Sequence, residues 1–219
     1  MTTAVMIGAT GLVGSKLLEQ LLADARFTKV VSFGRRPSGQ KHEKLEEHVI
    51  DFDRPEAWAS LVKGDVAFSA LGTTIKQAGS KEVQKKIDLD YQLEFAKAAA
   101  KNGVSAYSLC SAASADPRSS RFYSRIKGEL DRDVQALGFQ RVRIMRPSLL
   151  GGDRGDRART GEKLGSVLLG AFNAIGLAKR YREIPGSVVA RAMLNAAMEP
   201  TPGVHIFELD EVFSAAGVS

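Results

Sequence analysis

The stretch Val5-Met6-Ile7-Gly8-Ala9-Thr10-Gly11-Leu12-Val13-Gly14 constrains this chain more than any other. The apolar run at 4–7 reads as a buried strand. Past the glycines, Leu12, Val13, Leu17, Leu18, Leu21 and Leu22 recur at the spacing of one helical face. Gly8 allows a sharp turn, Gly11 has no Cβ to block a pyrophosphate, and Gly14 allows helix and strand to pack closely. The helix start offers unpaired N–H groups and the positive end of a dipole to phosphates. Gly8, Thr10, Gly11, Leu12, Val13 and Gly14 are therefore the expected cradle of a dinucleotide. The spacing is G-x-x-G-x-x-G, not the commoner G-x-G-x-x-G, and Ser15-Lys16 after Gly14 breaks the frame of a Walker-type phosphate loop.

Behind this opening, strand-like and helix-like segments alternate, which calls for a parallel sheet covered on both faces. Strands are expected at 29–33, 47–52, 65–71, 104–110, 141–145 and 204–209, the third of them ending at Asp51. Helices are expected at 55–62, 120–137 and 188–198. A long helix before Asn102-Gly103 carries Ile87, Tyr91, Phe95 and Ala99 on one face. The expected fold is a doubly wound, mostly parallel α/β Rossmann sheet of about seven strands in one domain spanning 1–219. Glycine and arginine dominate 151–183, which reads as a small lid over the substrate, too short for a core of its own.

With 219 residues the chain buries one substantial core, and 44% apolar with 26% charged residues is ordinary for a globular protein. No apolar run reaches the roughly 20 residues that span a bilayer, and the N-terminal strand leaves no room for a signal segment. The single cysteine, Cys110, excludes an intrachain disulfide and fits a reducing cytoplasm. It lies in an apolar strand with no histidine beside it, which reads as a small core residue. His42, His48 and His205 have no metal-ligand spacing, so no metal is expected. The net charge of +6 comes from scattered clusters with no zinc spacing, helix-turn-helix or aromatic-interleaved strand, so the expected anionic partner is a cofactor or small molecule, not nucleic acid.

The second informative stretch is Tyr123-Ser124-Arg125-Ile126-Lys127. Tyr123, Ile126, Leu130, Val134 and Leu137 form an apolar stripe expected to turn inward, with Lys127 at its edge. Ser111, at the end of the fifth strand, points at the cleft where open α/β sheets bind ligands.

Serine followed by Y-x-x-x-K resembles the short-chain dehydrogenase/reductases, a likeness that runs from residue 4 to about 150. Asp51-Phe52, Ala70-Leu71-Gly72-Thr73-Thr74, residues 104–111 and Arg146-Pro147-Ser148 are similar to the atypical branch of Tat-interacting-protein type oxidoreductases. The resemblance implies catalysis by Ser111, Tyr123 and Lys127, with Ser114 a weaker alternative to Ser111. Lys127 would hold the nicotinamide ribose and place its charge near the Tyr123 hydroxyl. A charge pair at about 4 Å contributes about 4 kcal/mol at an effective dielectric near 20, enough to bring a tyrosine from ~10 towards ~7. Tyr123 would protonate a carbonyl oxygen while Ser111 hydrogen-bonds the same atom.

Many relatives place an asparagine at the helix after strand four, where it supports a proton relay. Here the nearest match is Asp88, which could pair with Lys127 but is expected instead to favour a helix start. Arg35 and Arg36 follow strand two, where NAD-preferring folds place an acidic residue, so NADP(H) is the expected cofactor and NAD(H) the alternative. Asp51 and Phe52 are expected at the adenine, and Ala70, Leu71, Gly72 and Thr73 along the cofactor's middle. Pro147 is a further expected contact, and because similar proteins reach the cofactor phosphates with an arginine beyond strand six, Arg159 is expected there ahead of Arg154 and Arg157.

Two functions fit: an NADPH-dependent oxidoreductase of a carbonyl or quinone-like molecule, with an epimerase or dehydratase as a sub-case, or an NADP(H)-binding redox sensor acting through a protein partner. A homodimer is compatible with either.

Overall fold

The computed structural model of the chain describes residues 2–151 and 183–218. From the N-terminus, β1 (Thr2–Ile7) passes through the glycine turn into α1 (Leu12–Ala23), followed by β2 (Phe27–Gly34) and β3 (Leu45–Val49). Two 3-10 turns, Pro55–Ala57 and Ala59–Leu61, precede β4 (Val66–Ser69). Short helices α2 (Ile75–Ala78) and α3 (Lys81–Lys85) lead through a π-helical turn, Lys86–Asp90, into α4 (Tyr91–Lys101). The chain continues with β5 (Ala106–Cys110), α5 (Phe122–Gln135) and β6 (Arg141–Arg146). Two-residue strands β7 (Leu150–Gly151) and β8 (Ile184–Pro185) pair in parallel, and α6 (Gly186–Met198), β9 (Gly203–Glu208) and α7 (Asp210–Ala215) follow.

Seven strands form one parallel sheet in the order β3-β2-β1-β4-β5-β6-β9. The chain moves outward from β1 to β3, then returns to β4 and leaves in the other direction. Ligands of such sheets bind where the order reverses, at the carboxyl ends of β1 and β4. Alternation along the strands divides the core in two. Ala4 and Met6 of β1 pack with α1, α6 and α7, while Val5 and Ile7 pack with α4 and α5. This is the doubly wound α/β fold expected.

Two local expectations are corrected. The third strand stops at Val49, because Asp51 Oδ1 accepts from the Asp53 amide at 2.9 Å and turns the chain. No helix spans 55–62: buried Trp58 interrupts it, donating through Nε1 to Asp51 O at 2.9 Å, and leaves two 3-10 turns. The terminal helix α7 closes over the buried face of α6 with Val212 and Phe213. The expected lid lies, but for its ends, outside the described residues; Gly151 and Glu183 stand beside each other at its base.

Buried Arg143 of β6 joins the sheet to the end of α6. Its donors reach the carbonyls of Ala196, Glu199 and Thr201 at the helix end and the following loop, and those of Val142 and Gly203 in the strands. With all five N–H groups engaged, this cation serves the fold.

Candidate active site

The glycine turn is shaped by backbone contacts. Gly8 has φ +88°, and a Cβ there would lie 2.4 Å from the Ala70 carbonyl carbon. A Cβ on Gly14 would lie 2.0 Å from Gly8 O, so helix and strand meet only because both are glycine. Gly11 differs: it is exposed, its φ is negative, and an added Cβ would find Gly8 O at 3.3 Å. No side chain caps α1 and no acidic residue stands in its first turn. The amides of Leu12 and Val13 are thus left for an anion, although the Val13 side chain is core. Exposed Thr10 sits at the same mouth. A dinucleotide pyrophosphate fits this cradle.

Across β1, Arg35 and Arg36 follow β2, both exposed and neither drawn into an ion pair among the described residues. Asp51 is exposed beyond β3, whereas the Phe52 ring is buried, stacked on Tyr91 at 5.1 Å and set edge-on to Trp58. Phe52 therefore props the loop while its neighbour faces outward. On the other side of the switch point, Ala70 donates to Ile7 O at 3.1 Å, and Leu71, Gly72 and Thr73 lead away from β4. Thr73 donates from its amide to Asp88 Oδ2 at 3.3 Å. Buried Pro147 accepts from the Ala113 amide at 3.1 Å, which closes the loop after β5 onto β6. Arg159 lies outside the described residues.

Ser111 extends β5 by one bond, from its amide to Met145 O at 2.8 Å. Its side chain is buried, while Ser114 is exposed. Ile126, Leu130 and Val134 of the expected stripe on α5 are buried, but its first member, Tyr123, is not. Tyr123 is 40% exposed and Lys127 only 2%, so the lysine is the buried member of the pair. The loop before α5 lies close on the helix: a Cβ on Gly128 would lie 2.2 Å from backbone atoms of Asp116 and Pro117.

Lys127 Nζ donates to Cys110 O at 3.3 Å. Burial opposes its charge, but Tyr123, Asp88, Cys110 and Asp131 outweigh burial and hold its pKa above the ordinary lysine value. Burial also pushes the Cys110 thiol up to about 11, far from a reactive thiolate.

Two buried carboxylates that the sequence reading left out of the site surround this lysine. Asp88 does not start a helix: it sits in the π-helical turn, inside the continuous run from α3 to α4. Ser69 Oγ donates to Gln92 Oε1 at 2.8 Å, and Gln92 Nε2 donates to the Ile87 and Asp88 carbonyls at 3.5 and 3.0 Å. That clamp satisfies the widened turn and points Asp88 inward. Burial raises the Asp88 carboxyl above its usual value, with Lys127, the Thr73 amide and Gln84 pulling it back. Asp131 stands one turn beyond Lys127, and its Oδ2 accepts from Arg146 Nε at 3.0 Å. Arg146 in turn donates to Glu208 at 2.8 Å. The Lys127–Asp131 spacing, four apart on one helix, was the available signal for this contact.

Among the described residues no group of His, Cys, Asp or Glu is arranged to hold a metal ion, and no helix is long and apolar enough to cross a membrane.

The profile of a family described as NAD(P)H-binding matches residues 8–200. Similar sequences include "Protein fmp52, mitochondrial" of Emericella nidulans, 35% identical over 213 residues, covering 93% of this chain and 90% of that protein. Protein HTATIP2 of Rattus norvegicus is 34% identical over 202 residues, covering 90% of this chain and 82% of that protein. Among solved structures, the Bordetella bronchiseptica enzyme WbmH in complex with NAD+ superposes with a TM-score of 0.71 at 18% identity, over 95% of this chain and 76% of its own. UDP-glucose 4-epimerase from Thermotoga maritima gives 0.68 at 15% identity, over 97% and 80%. At such identities these structures share the Rossmann fold and nothing finer. The chain belongs to the NAD(P)H-binding family, and its sequence is similar to that of HTATIP2, the Tat-interacting-protein type.

Proposed function

We propose that the protein is an NADPH-dependent reductase of small carbonyl or quinone-like compounds, with Tyr123 as proton donor. One observation carries this reading: an exposed phenol stands one helical turn from a buried, charged lysine. Burying an ammonium is costly unless it is paired, and here two carboxylates and a carbonyl surround it. A protein that only sensed its cofactor would have no need of such a charge beside a solvent-facing hydroxyl.

When bound, the nicotinamide cofactor supplies a hydride. The residues of the chain do the rest. The glycine turn and the amides of α1 hold the pyrophosphate, and Arg35 and Arg36 pair with a 2′-phosphate. Lys127 would hold the ribose, and its positive charge, which interacts with Tyr123, favours release of the phenolic proton. Tyr123 gives that proton to the substrate oxygen as the carbonyl is reduced to the alcohol. Ser111 donates a hydrogen bond to the same oxygen while negative charge develops there.

NADPH oxidation by the purified protein across a panel of aldehydes, ketones and quinones tests the reading. Saturable turnover with at least one of them is the expected result. Tight NADPH binding with no turnover on any would favour the redox sensor instead.

A further inference from the structure

The buried side of the site contains two polar atoms with no hydrogen-bond partner, and they belong to neighbouring side chains. Ser111 Oγ and Asp131 Oδ1 are both enclosed, and neither makes a bond of acceptable geometry. They are close: the serine hydroxyl is the largest influence pulling the Asp131 carboxyl back against its burial. Buried polar atoms are almost always paired, so two adjacent orphans on one cleft wall require an explanation. A turn about the serine Cα–Cβ bond re-aims Oγ, and with it the hydroxyl donor, toward the carboxylate.

Arg146 does not explain why Asp131 is there. Glu208 already accepts from Arg146 at 2.8 Å and is far more exposed, so it neutralises the arginine without a carboxylate in the interior. A buried carboxylate is retained at Asp131 with one oxygen fixed by Arg146 Nε and the other enclosed without a hydrogen-bond partner.

We propose that Asp131 is a positioning residue for Ser111, its Oδ1 accepting the serine hydroxyl and Arg146 anchoring its Oδ2. The inference deepens the reductase reading, in which Ser111 touches the substrate oxygen. Asp131 itself touches no substrate. It fixes the rotamer of Ser111, and through Arg146 and Glu208 it ties that rotamer to β6 and β9. Lys127 and Arg146 are the charged groups that act on Asp131, and Lys127 and Cys110 feel its charge in turn.

Two measurements test the proposal on the full chain. In the first, the Asp131 13Cγ resonance, assigned by its loss in Asp131→Asn, is titrated in the unmodified protein and in Ser111→Ala. Removing a donor that favours the charged carboxylate should move the midpoint to higher pH. An unchanged midpoint would overturn the proposal, and this arm needs no substrate.

In the second, turnover is compared in Ser111→Ala, Asp131→Asn and the double variant. Asp131→Asn should lower kcat by roughly 10–100-fold, the scale of a mispositioned group, with NADPH affinity retained. The double variant should lie within about twofold of Ser111→Ala, because coupled residues are not additive. Losses that multiply would mean that Asp131 supports only the fold. If Asp131→Asn does not fold, Arg146→Gln loosens the same carboxylate, with the same non-additivity expected. Should Ser111→Ala leave turnover intact while the Asp131 midpoint moves, the role of Ser111 in reduction fails and the contact stands.

Discussion

Tyr123 and Lys127 stand one helical turn apart on α5 with opposite exposure, the phenol 40% accessible and the ammonium 2%. The lysine charge therefore acts on the tyrosine from the dry side, where water screens it least. Asp88 and Asp131 share that interior, and both are pushed above the ordinary carboxylate range, by burial first of all.

The raised Asp88 pKa carries a definite sign for stability. A carboxyl that titrates higher in the folded than in the unfolded state binds its proton preferentially when folded. Its contribution is complete below the unfolded value, 3.8, and is lost as pH rises through the folded value. Acidification through that window should therefore favour the unmodified protein over Asp88→Asn, contrary to a salt-bridged aspartate. Urea unfolding of both proteins at a series of pH values measures it. A difference that shrinks on acidification would show that pairing with Lys127, not burial, governs Asp88.

The glycine turn separates fold from cofactor binding. Gly14→Ala forces a Cβ onto Gly8 O, with 2.0 Å available, and should destabilise the protein by about 1–3 kcal/mol or more. Gly11→Ala meets Gly8 O at 3.3 Å and should leave the melting temperature nearly unchanged. NADPH affinity should nevertheless fall roughly tenfold, as phosphate is held off the amides of α1. Calorimetric titration beside thermal melting distinguishes the two. Undiminished affinity in Gly11→Ala would remove the pyrophosphate from this turn.

In the proposed reading, Arg35 and Arg36 would set the choice of cofactor. Charge-assisted hydrogen bonds contribute roughly 1.5–3 kcal/mol each, so NADPH should bind at least tenfold more tightly than NADH. Changing both arginines to alanine should erase most of the difference. Equal affinities for NADPH and NADH in the unmodified protein would contradict the assignment.

Much of this was legible in the chain, and the misses have specific causes. The strand, glycine turn and helix at 2–23 follow from local periodicity, and the alternation behind them gave the parallel sheet. The orientation of Tyr123 was not legible, because counting apolar positions places a tyrosine in the core. Gly128 was a clue of another kind: a glycine inside a helix weakens it, and here it admits the Asp116–Pro117 backbone against α5. Asp88 was hidden by the π-helical turn, which shifts the face presented and has no periodic signature. The Gln92 bond to Asp88 O that supports the turn joins a side chain to a backbone atom inside the same helical run, invisible to pattern. Asp131 could have been found, since a carboxylate one turn after the lysine shares its face.

The most direct test of the reductase reading is turnover set against NADPH affinity in Tyr123→Phe. The substitution removes one oxygen and keeps the ring, and Tyr123 is exposed enough that packing should survive. Turnover on any substrate found should fall by roughly 10²–10⁴-fold, the usual contribution of a positioned acid, while NADPH still binds through the glycine turn, Arg35 and Lys127. Unchanged affinity with undiminished turnover would contradict the mechanism and leave Tyr123 a surface aromatic beside a structural lysine.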